Sequence, residues 1–405
     1  MPNYNYKLNL IGALTSKQYA FKARFWELQK SENIDFSDAF CVNIVLYTKS
    51  ISNKEILRIL PSTQTKYTHN WITDKTRFSF EGLRFHRIEN PKIFMKNVYW
   101  SDVFLVLKKT LNKISNNTAV VFGNLSDLKT IFILSSFVKY QGGSDIIYET
   151  KQLSYNPSFS FFHSSNSLLD SLNDIQLFFV INSNLRYEAS LLNTSIRTFK
   201  QNKEVTYLSV GNFNVLGFTQ IHAGNALLSL MSFLENKSAL TKLLYKNEKI
   251  FIILGFENLK KNISGFLQNT VRFLSKKTLR QTKTGSFFAT LHSNVGSSNF
   301  CFLGLQSTNR SGVYNDNLVS SSNNVFTYLQ NLNLDYKDFY FKNSNIIALD
   351  SHKKSTYMSQ MVTLPIKLYF EKQTWNFDVT QTLKKSDQVI LNSKKKVNYS
   401  FFLYL

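Results

Sequence analysis

Gln176-Leu177-Phe178-Phe179-Val180-Ile181, then Asn182-Ser183-Asn184, then a helical pattern over 188–200: this stretch decides the fold. An unbroken apolar run of this length, ended by polar turn residues, reads as a strand buried on both faces. The same unit recurs on either side of it. Residues 205–210 form another apolar run, ending at Gly211. Residues 250–254 form a third, ending at Gly255, with a long helical pattern from Asn258. A short late run occupies 346–349. Upstream, 118–122 ends at Gly123 and precedes a helix-like stretch over 125–139. Before it, Ser101 and Asp102 can cap a helix whose apolar positions include Val103, Val106, Leu107 and Leu111. Short buried strands alternating with helices predict an α/β fold of mostly parallel sheets covered by helices.

Working back to the N-terminus, the pattern changes. Residues 42–48 and 55–60 are β-type runs joined by a polar stretch, which predicts a hairpin with a longer loop. Pro91 closes this unit. The expected organisation is an extended lead-in over 1–37, a small mixed, mostly β domain over 38–93, and an α/β domain over 94–405.

Open α/β sheets bind ligands at the carboxyl ends of their strands. Here those ends read Gly123-Asn124, Asn182-Ser183-Asn184, Gly211-Asn212 and Gly255-Phe256. No G-x-G-x-x-G follows the first strand, and no P-loop pattern occurs, so a standard dinucleotide or P-loop site is unsupported. The glycines read as tight strand-to-helix turns.

Composition narrows the function further. The net charge of +22 is scattered, and Lys394-Lys395-Lys396 is its only tight run. With no RNA-binding signature, this reads as surface lysine or a surface for acidic proteins rather than for nucleic acid. Phe, Asn, Lys and Ile are favoured and have AT-rich codons, a bias found in many organelle genomes. Two cysteines, Cys41 and Cys301, exclude a disulfide framework and are too few for an iron–sulfur cluster. Both read as small buried residues. The six histidines lie singly, without ligand spacing. The longest apolar run, near 250–254, is far short of the roughly 20 residues a spanning helix needs. The start, MPNYNYKLNLIGAL, has neither a secretory signal nor an Arg-rich presequence.

Several segments carry a family resemblance. Gly12-Ala13-Leu14-Thr15-Ser16-Lys17 is followed by Tyr19-Ala20-Phe21, Ala23-Arg24 and Trp26-Glu27. Ser31-Glu32-Asn33-Ile34-Asp35, Arg58-Ile59-Leu60-Pro61 and 71–78 continue in register to Gly82-Leu83. A second segment covers 182–197, and a fainter one runs through 346–365 to Glu371-Lys372. Together they resemble the NuoG-type large iron–sulfur subunit of respiratory complex I, in its molybdopterin-oxidoreductase-like part.

The resemblance implies a structural role in the peripheral, matrix-side arm of a mitochondrial complex. It implies no catalytic, cofactor-binding or metal-binding residue on this chain, with iron–sulfur clusters and FMN carried by partner subunits. The family's last cluster ligand sits three residues before Gly12, where this chain has Asn9. That departure suggests a split subunit whose cysteine-rich half is a separate polypeptide. The stretch Asn376-Phe377-Asp378-Val379-Thr380 departs from the family's Asn-Thr-Glu-Gly-Arg, and the C-terminal region reads as shortened. Expected partners are the cluster-bearing half, the NADH-binding flavoprotein and other peripheral-arm subunits. Tyr19, Phe21, Arg24 and Trp26 are the expected interface. Arg58, Arg77 and Arg84 would pair either with partner acids or internally. Two other readings stand beside this one. An active molybdopterin oxidoreductase would need a Cys or Ser metal ligand and more glycine than the 14 present. A basic organellar nucleic-acid-binding protein would draw on charge alone.

Overall fold

The computed structural model describes residues 19–49, 55–62, 71–111, 118–142, 145–148, 175–202, 205–211, 215–224, 227–235, 240–247, 249–255, 287–292, 294–305, 326–330, 345–353, 361–378 and 382–390, with isolated residues between them. The helical pattern from Asn258, the position of Asn9 and the lysine run at 394–396 lie outside the described residues.

The chain opens with an antiparallel sheet of β1 (Leu28–Ile34), β2 (Asn43–Lys49) and β3 (Glu55–Pro61), in that order. The expected hairpin is present as β2 and β3, with a register shift between Tyr47 and Thr48. The expected lead-in over 1–37 needs correction, because Leu28 to Ile34 pair along β2 from Lys49 to Asn43. Its sequence, LQKSENI, buries only Leu28 and Asn33, so its apolar alternation is too weak to read as a strand. Helix α1 (Asp74–Phe78) follows, its first turn capped by the Thr73 hydroxyl, which accepts from the Thr76 N–H.

The small domain also ends earlier than expected. Strands β4 (Lys92–Ile93) and β5 (Lys96–Asn97) form a hairpin at the edge of the large sheet, beyond the 38–93 unit's own sheet. Helix α2 (Trp100–Leu111) then begins one residue before the expected caps. Ser101 and Asp102 therefore lie in its first turn, where Asp102 still suits the positive end of the helix dipole.

Next come β6 (Thr118–Phe122), α3 (Leu128–Tyr140), β7 (Asp145–Tyr148), β8 (Leu177–Ile181), α4 (Leu185–Glu188), α5 (Ser190–Asn202), β9 (Thr206–Val210) and β10 (Ile221–His222). Helices α6 (Leu227–Leu234) and α7 (Thr241–Lys246) lead to β11 (Ile250–Gly255), β12 (Phe287–Leu291) and α8 (Val295–Phe302). The last elements are β13 (Phe326–Gln330), β14 (Asn345–Asp350), β15 (Met361–Pro365), β16 (Thr374–Phe377) and β17 (Leu383–Ser386).

These strands build two mostly parallel sheets. One sheet runs β10-β9-β8-β11-β12 and is parallel throughout. The other runs β5-β4-β15-β14-β13-β6-β7, with only the β4–β5 hairpin antiparallel to its neighbours. Strand β8 explains why its sequence decides the fold. Leu177, Phe179 and Ile181 enter a core shared with β6, β14, α2 and α3. Phe178 and Val180 enter a second core with α5. Successive side chains point to opposite faces, so a strand covered on both faces must be apolar at every position. Each such Leu, Ile or Phe contributes about 1.5–3 kcal/mol on burial.

Candidate functional site

In this fold a ligand would enter at the carboxyl ends of the parallel strands. There the chain's own backbone closes in. Asn182, directly after β8, has φ 51°, a left-handed conformation that Asn tolerates better than most residues. A methyl group on Gly255 at the end of β11 would lie 2.3 Å from the Asn182 carbonyl oxygen. Gly211, after β9, has φ +122° and also faces the Asn182 main chain. These glycines do more than turn the chain: they let strand ends of one sheet touch.

A second contact joins the two sheets. The Gly296 N–H, in the first turn of α8, donates to the Asn124 carbonyl at the end of β6 (2.9 Å). A Cβ on Gly296 would lie 2.6 Å from that oxygen. One turn on, the fully buried Asn299 ties three segments together. Its Nδ2 donates to the Ser126 carbonyl (3.1 Å) and to Asn376 Oδ1 (2.7 Å). Its Oδ1 accepts from the Phe377 N–H (2.9 Å). His292, just before α8, is buried, with its Nδ1 3.2 Å from Ser297 Oγ.

Residues 369–378 and 382–387 strap this region to the small domain. Glu371 forms a buried ion pair with Arg87 and accepts the Leu368 N–H (2.9 Å). Lys372 pairs with Asp127, in the loop before α3, at 2.5 Å. Asp378 accepts from the Thr382 N–H (2.9 Å) and hydroxyl (2.8 Å) and lies 3.2 Å from Lys384 Nζ. The sequence shows Glu371-Lys372 and the variant stretch at 376–380 but not their partners: Arg87 lies 284 residues from Glu371, Asp127 lies 245 from Lys372, and Asn299 lies 77 from Asn376.

Beneath the small sheet, Asp35 collects four donors. They are the Ser37 N–H (3.1 Å), the Ser37 hydroxyl (2.5 Å), the Thr76 hydroxyl (2.6 Å) and the Tyr369 hydroxyl (3.0 Å). Burial beside Asp35 holds the Tyr369 phenol well above its ordinary range, so it remains a donor. Burial, with Asp35 adding to it, pushes Asp38 up to about 7. Cys41 sits beside this network, buried, at φ 48°. Its carbonyl accepts from Lys384 Nζ (2.9 Å). Burial pushes its thiol well above the ordinary value, against the pull of Lys384. Cys301 is buried within α8, and burial raises its thiol too.

The expected interface residues divide. Phe21 is 95% exposed and Trp26 is 63% exposed. The Arg24 guanidinium lies 5.3 Å from the Trp26 ring centre, and Phe25 meets Trp26 edge-on. Tyr19 is half-buried against the small sheet instead, with Arg58 stacked 4.7 Å over its ring. Arg77 pairs with Asp74 (3.4 Å) and Arg84 with Glu55 (2.6 Å) within the chain. Among the described residues, no three His, Cys, Asp or Glu gather as metal ligands, and no helix is long and apolar enough to cross a membrane.

Comparison with known proteins agrees with this architecture. The molybdopterin oxidoreductase family model matches residues 87–395. The model of the NADH-ubiquinone oxidoreductase NDSU1/NuoG-like 4Fe-4S domain matches residues 28–81, which starts where β1 starts. The NADH-ubiquinone oxidoreductase 75 kDa subunit of Reclinomonas americana is 34% identical over 74% of this chain and 46% of its own length. The mitochondrial 78 kDa subunit of Candida albicans is 30% identical over 60% of this chain and 35% of its own length. The Solanum tuberosum iron-sulfur protein 1 of mitochondrial NADH dehydrogenase is 29% identical over 60% of this chain. The chain thus spans less than half the length of these relatives. A chain of the formyltransferase/hydrolase complex of Methylorubrum extorquens shares the fold, with TM-score 0.56 over 78% of this chain at 8% identity.

The 4Fe-4S match calls for a test of fit. Such a cluster is ordinarily held by four cysteine thiolates. Residues 28–81 contain one cysteine, Cys41, whose environment favours the thiol over the thiolate. One thiol falls short of the four-thiolate donor set. At the described strand ends, Gly255 and Gly211 pack on Asn182, Gly296 packs on Asn124, and Asn299 bonds to Ser126 and Asn376. With its two mostly parallel sheets and the match over residues 87–395, the chain belongs to the molybdopterin oxidoreductase family, and it is similar to the 75 and 78 kDa subunits of NADH-ubiquinone oxidoreductase.

Proposed function

We propose that this chain is a structural part of the peripheral, matrix-side arm of mitochondrial NADH:ubiquinone oxidoreductase, and that it carries no catalytic residue, cluster or pterin of its own. The observation that supports the reading is the close packing at the described strand ends. There Asn299 bonds to Ser126 and Asn376, and the backbones of Gly211, Gly255 and Gly296 approach Asn182 and Asn124 closely. Electron transfer would then run through iron–sulfur clusters and flavin on partner subunits, including a cysteine-rich cluster-bearing part and the NADH-binding flavoprotein. The exposed Phe21 and Trp26, with Arg24, would pack against those partners, since aromatic and arginine anchors dominate interface energy. Tyr19 would brace them from the small sheet.

The 4Fe-4S domain match favours a second reading, in which residues 28–81 hold a cluster. One experiment separates the two. The native assembly is isolated, its subunits are identified by mass spectrometry, and this chain is then purified for elemental analysis and low-temperature electron paramagnetic resonance. The structural reading expects co-migration with NADH-oxidising activity, and far less than one iron or molybdenum per chain. Four irons per chain with a reduced-cluster signal would establish the second reading. A chain that migrates alone would overturn the first.

A further inference from the structure

The hairpin of β4 and β5 turns through two residues, Phe94 and Met95, with Lys92 opposite Asn97 and Ile93 opposite Lys96. Both turn residues have positive φ, 48° and 66°. A two-residue hairpin loop of this kind demands left-handed backbone at both positions, and Asn-Gly meets that demand best. A Phe and a Met there are strained, and neither gains burial in return. Phe94 is 62% exposed and Met95 is 59% exposed. The AT-rich bias does not account for them, because Asn codons are as AT-rich as Phe codons. Strain that the fold itself does not reward points to function.

The base of the hairpin is fixed. Ile93, Val98 and Trp100 pack against the main core, and β4 pairs with β15 at the edge of the seven-stranded sheet. The tip is therefore a rigid apolar wedge flanked by Lys92 and Lys96, and binding it would cost little ordering. We propose that Phe94 and Met95 insert into an apolar pocket with an acidic rim on a partner protein. The sign follows from the flanking lysines and from the chain's net charge of +22. A lipid surface fits less well, since two side chains and two lysines make a small anchor where stable membrane binding takes more than one strong signal. The proposal rests on the reading above that the chain works inside an assembly.

Two measurements on the native assembly and on the full chain alone test it. Mild peroxide oxidises exposed Met to the sulfoxide. Met95 should oxidise readily in the free chain and at least about fivefold more slowly in the assembly, the protection that a buried anchor receives. Carbodiimide should join Lys92 or Lys96 to an Asp or Glu of a partner subunit, identified by peptide mapping. The variant Phe94→Asn/Met95→Gly should leave the free chain at least as heat-stable as the wild type, while lowering its recovery in the assembly. A chain found outside any assembly overturns both this proposal and the proposed function. A chain inside the assembly, with Met95 oxidised at the free rate and no cross-link, overturns the hairpin proposal alone. Protection of Met95 by phosphatidylserine–phosphatidylcholine vesicles would point to lipid and overturn it as well. So would a loss of heat stability in the double variant, which would assign Phe94 and Met95 to the fold.

Discussion

Arg87 and Glu371 form a buried ion pair across 284 residues of chain, their side chains 7% and 3% exposed. The pair ties Arg87, ahead of β4, to the segment that starts at Tyr369. The remaining guanidinium nitrogens of Arg87, Nε and Nη1, have no other hydrogen-bond partner among the described residues.

Removing one charge from that pair leaves the other buried and unpaired. Glu371→Gln should therefore destabilise the chain by about 3–5 kcal/mol. The double change Arg87→Met/Glu371→Leu should cost less than the single one, because no uncompensated charge remains. Urea denaturation of the three proteins checks this. Equal losses in the single and double variants would show that packing, not charge, dominates the site.

Close backbone approach should make Gly255 far less replaceable than an ordinary turn glycine. In Gly255→Ala the new methyl meets the Asn182 carbonyl at 2.3 Å, and backbone must move. A loss of about 3 kcal/mol is expected, at the upper end for overpacking. Gly217→Ala meets nothing within 4 Å and suffers only its φ of +81°, so about 1 kcal/mol is expected. Melting temperatures of the two variants, compared in one buffer, give the ranking.

Asn299 should behave as the keystone of the strand-end network. Asn299→Ala leaves the Phe377 N–H and Asn376 Oδ1 buried without their partner. The expected cost is about 2–4 kcal/mol, from two or more unsatisfied groups. A double-mutant cycle with Asn376→Ala should give a coupling of about 1 kcal/mol or more. Additive losses would mean that the two amides act independently.

The acidic cluster predicts a pH dependence with a definite sign. Asp38 holds its proton up to about 7 in the folded chain, against an ordinary 3.8, because of burial and the neighbouring Asp35. Between those values the folded state binds more protons than the unfolded state, so stability falls as pH rises. The contribution is intact below about pH 4 and lost above about pH 7. Asp38→Asn keeps an acceptor for the Phe40 N–H and removes the charge. It should stabilise the chain on the order of 1 kcal/mol at pH 8 and fade toward pH 4. A constant difference across that range would assign the effect to something other than ionisation.

How much of this was legible in the chain differs from element to element. The runs that became β8, β9 and β11 announced themselves, since a strand covered on both faces can hold almost nothing polar. Strands β1, β12, β13 and β15 did not, because short strands with a weak or mixed apolar pattern resemble loops. The glycines at 211 and 255 were read as turns. Their closer role, letting main chains meet at Asn182, depends on which strand neighbours which.

The sequence by itself determined the parallel α/β class, the family and the shortage of cysteine donors in 28–81. These follow from local apolar patterning, a matched register of residues and a count of thiols, all of which are properties of the chain as written. Tertiary structure alone decided which polar groups meet at the strand ends and under the small sheet. The partners of Asn299, Arg87, Lys372 and Asp35 lie between 2 and 334 residues away in sequence, the farthest being Tyr369. Their pairing is enforced by the cost of burying polar groups unpaired, and that cost arises only once sheets and helices have packed and excluded water.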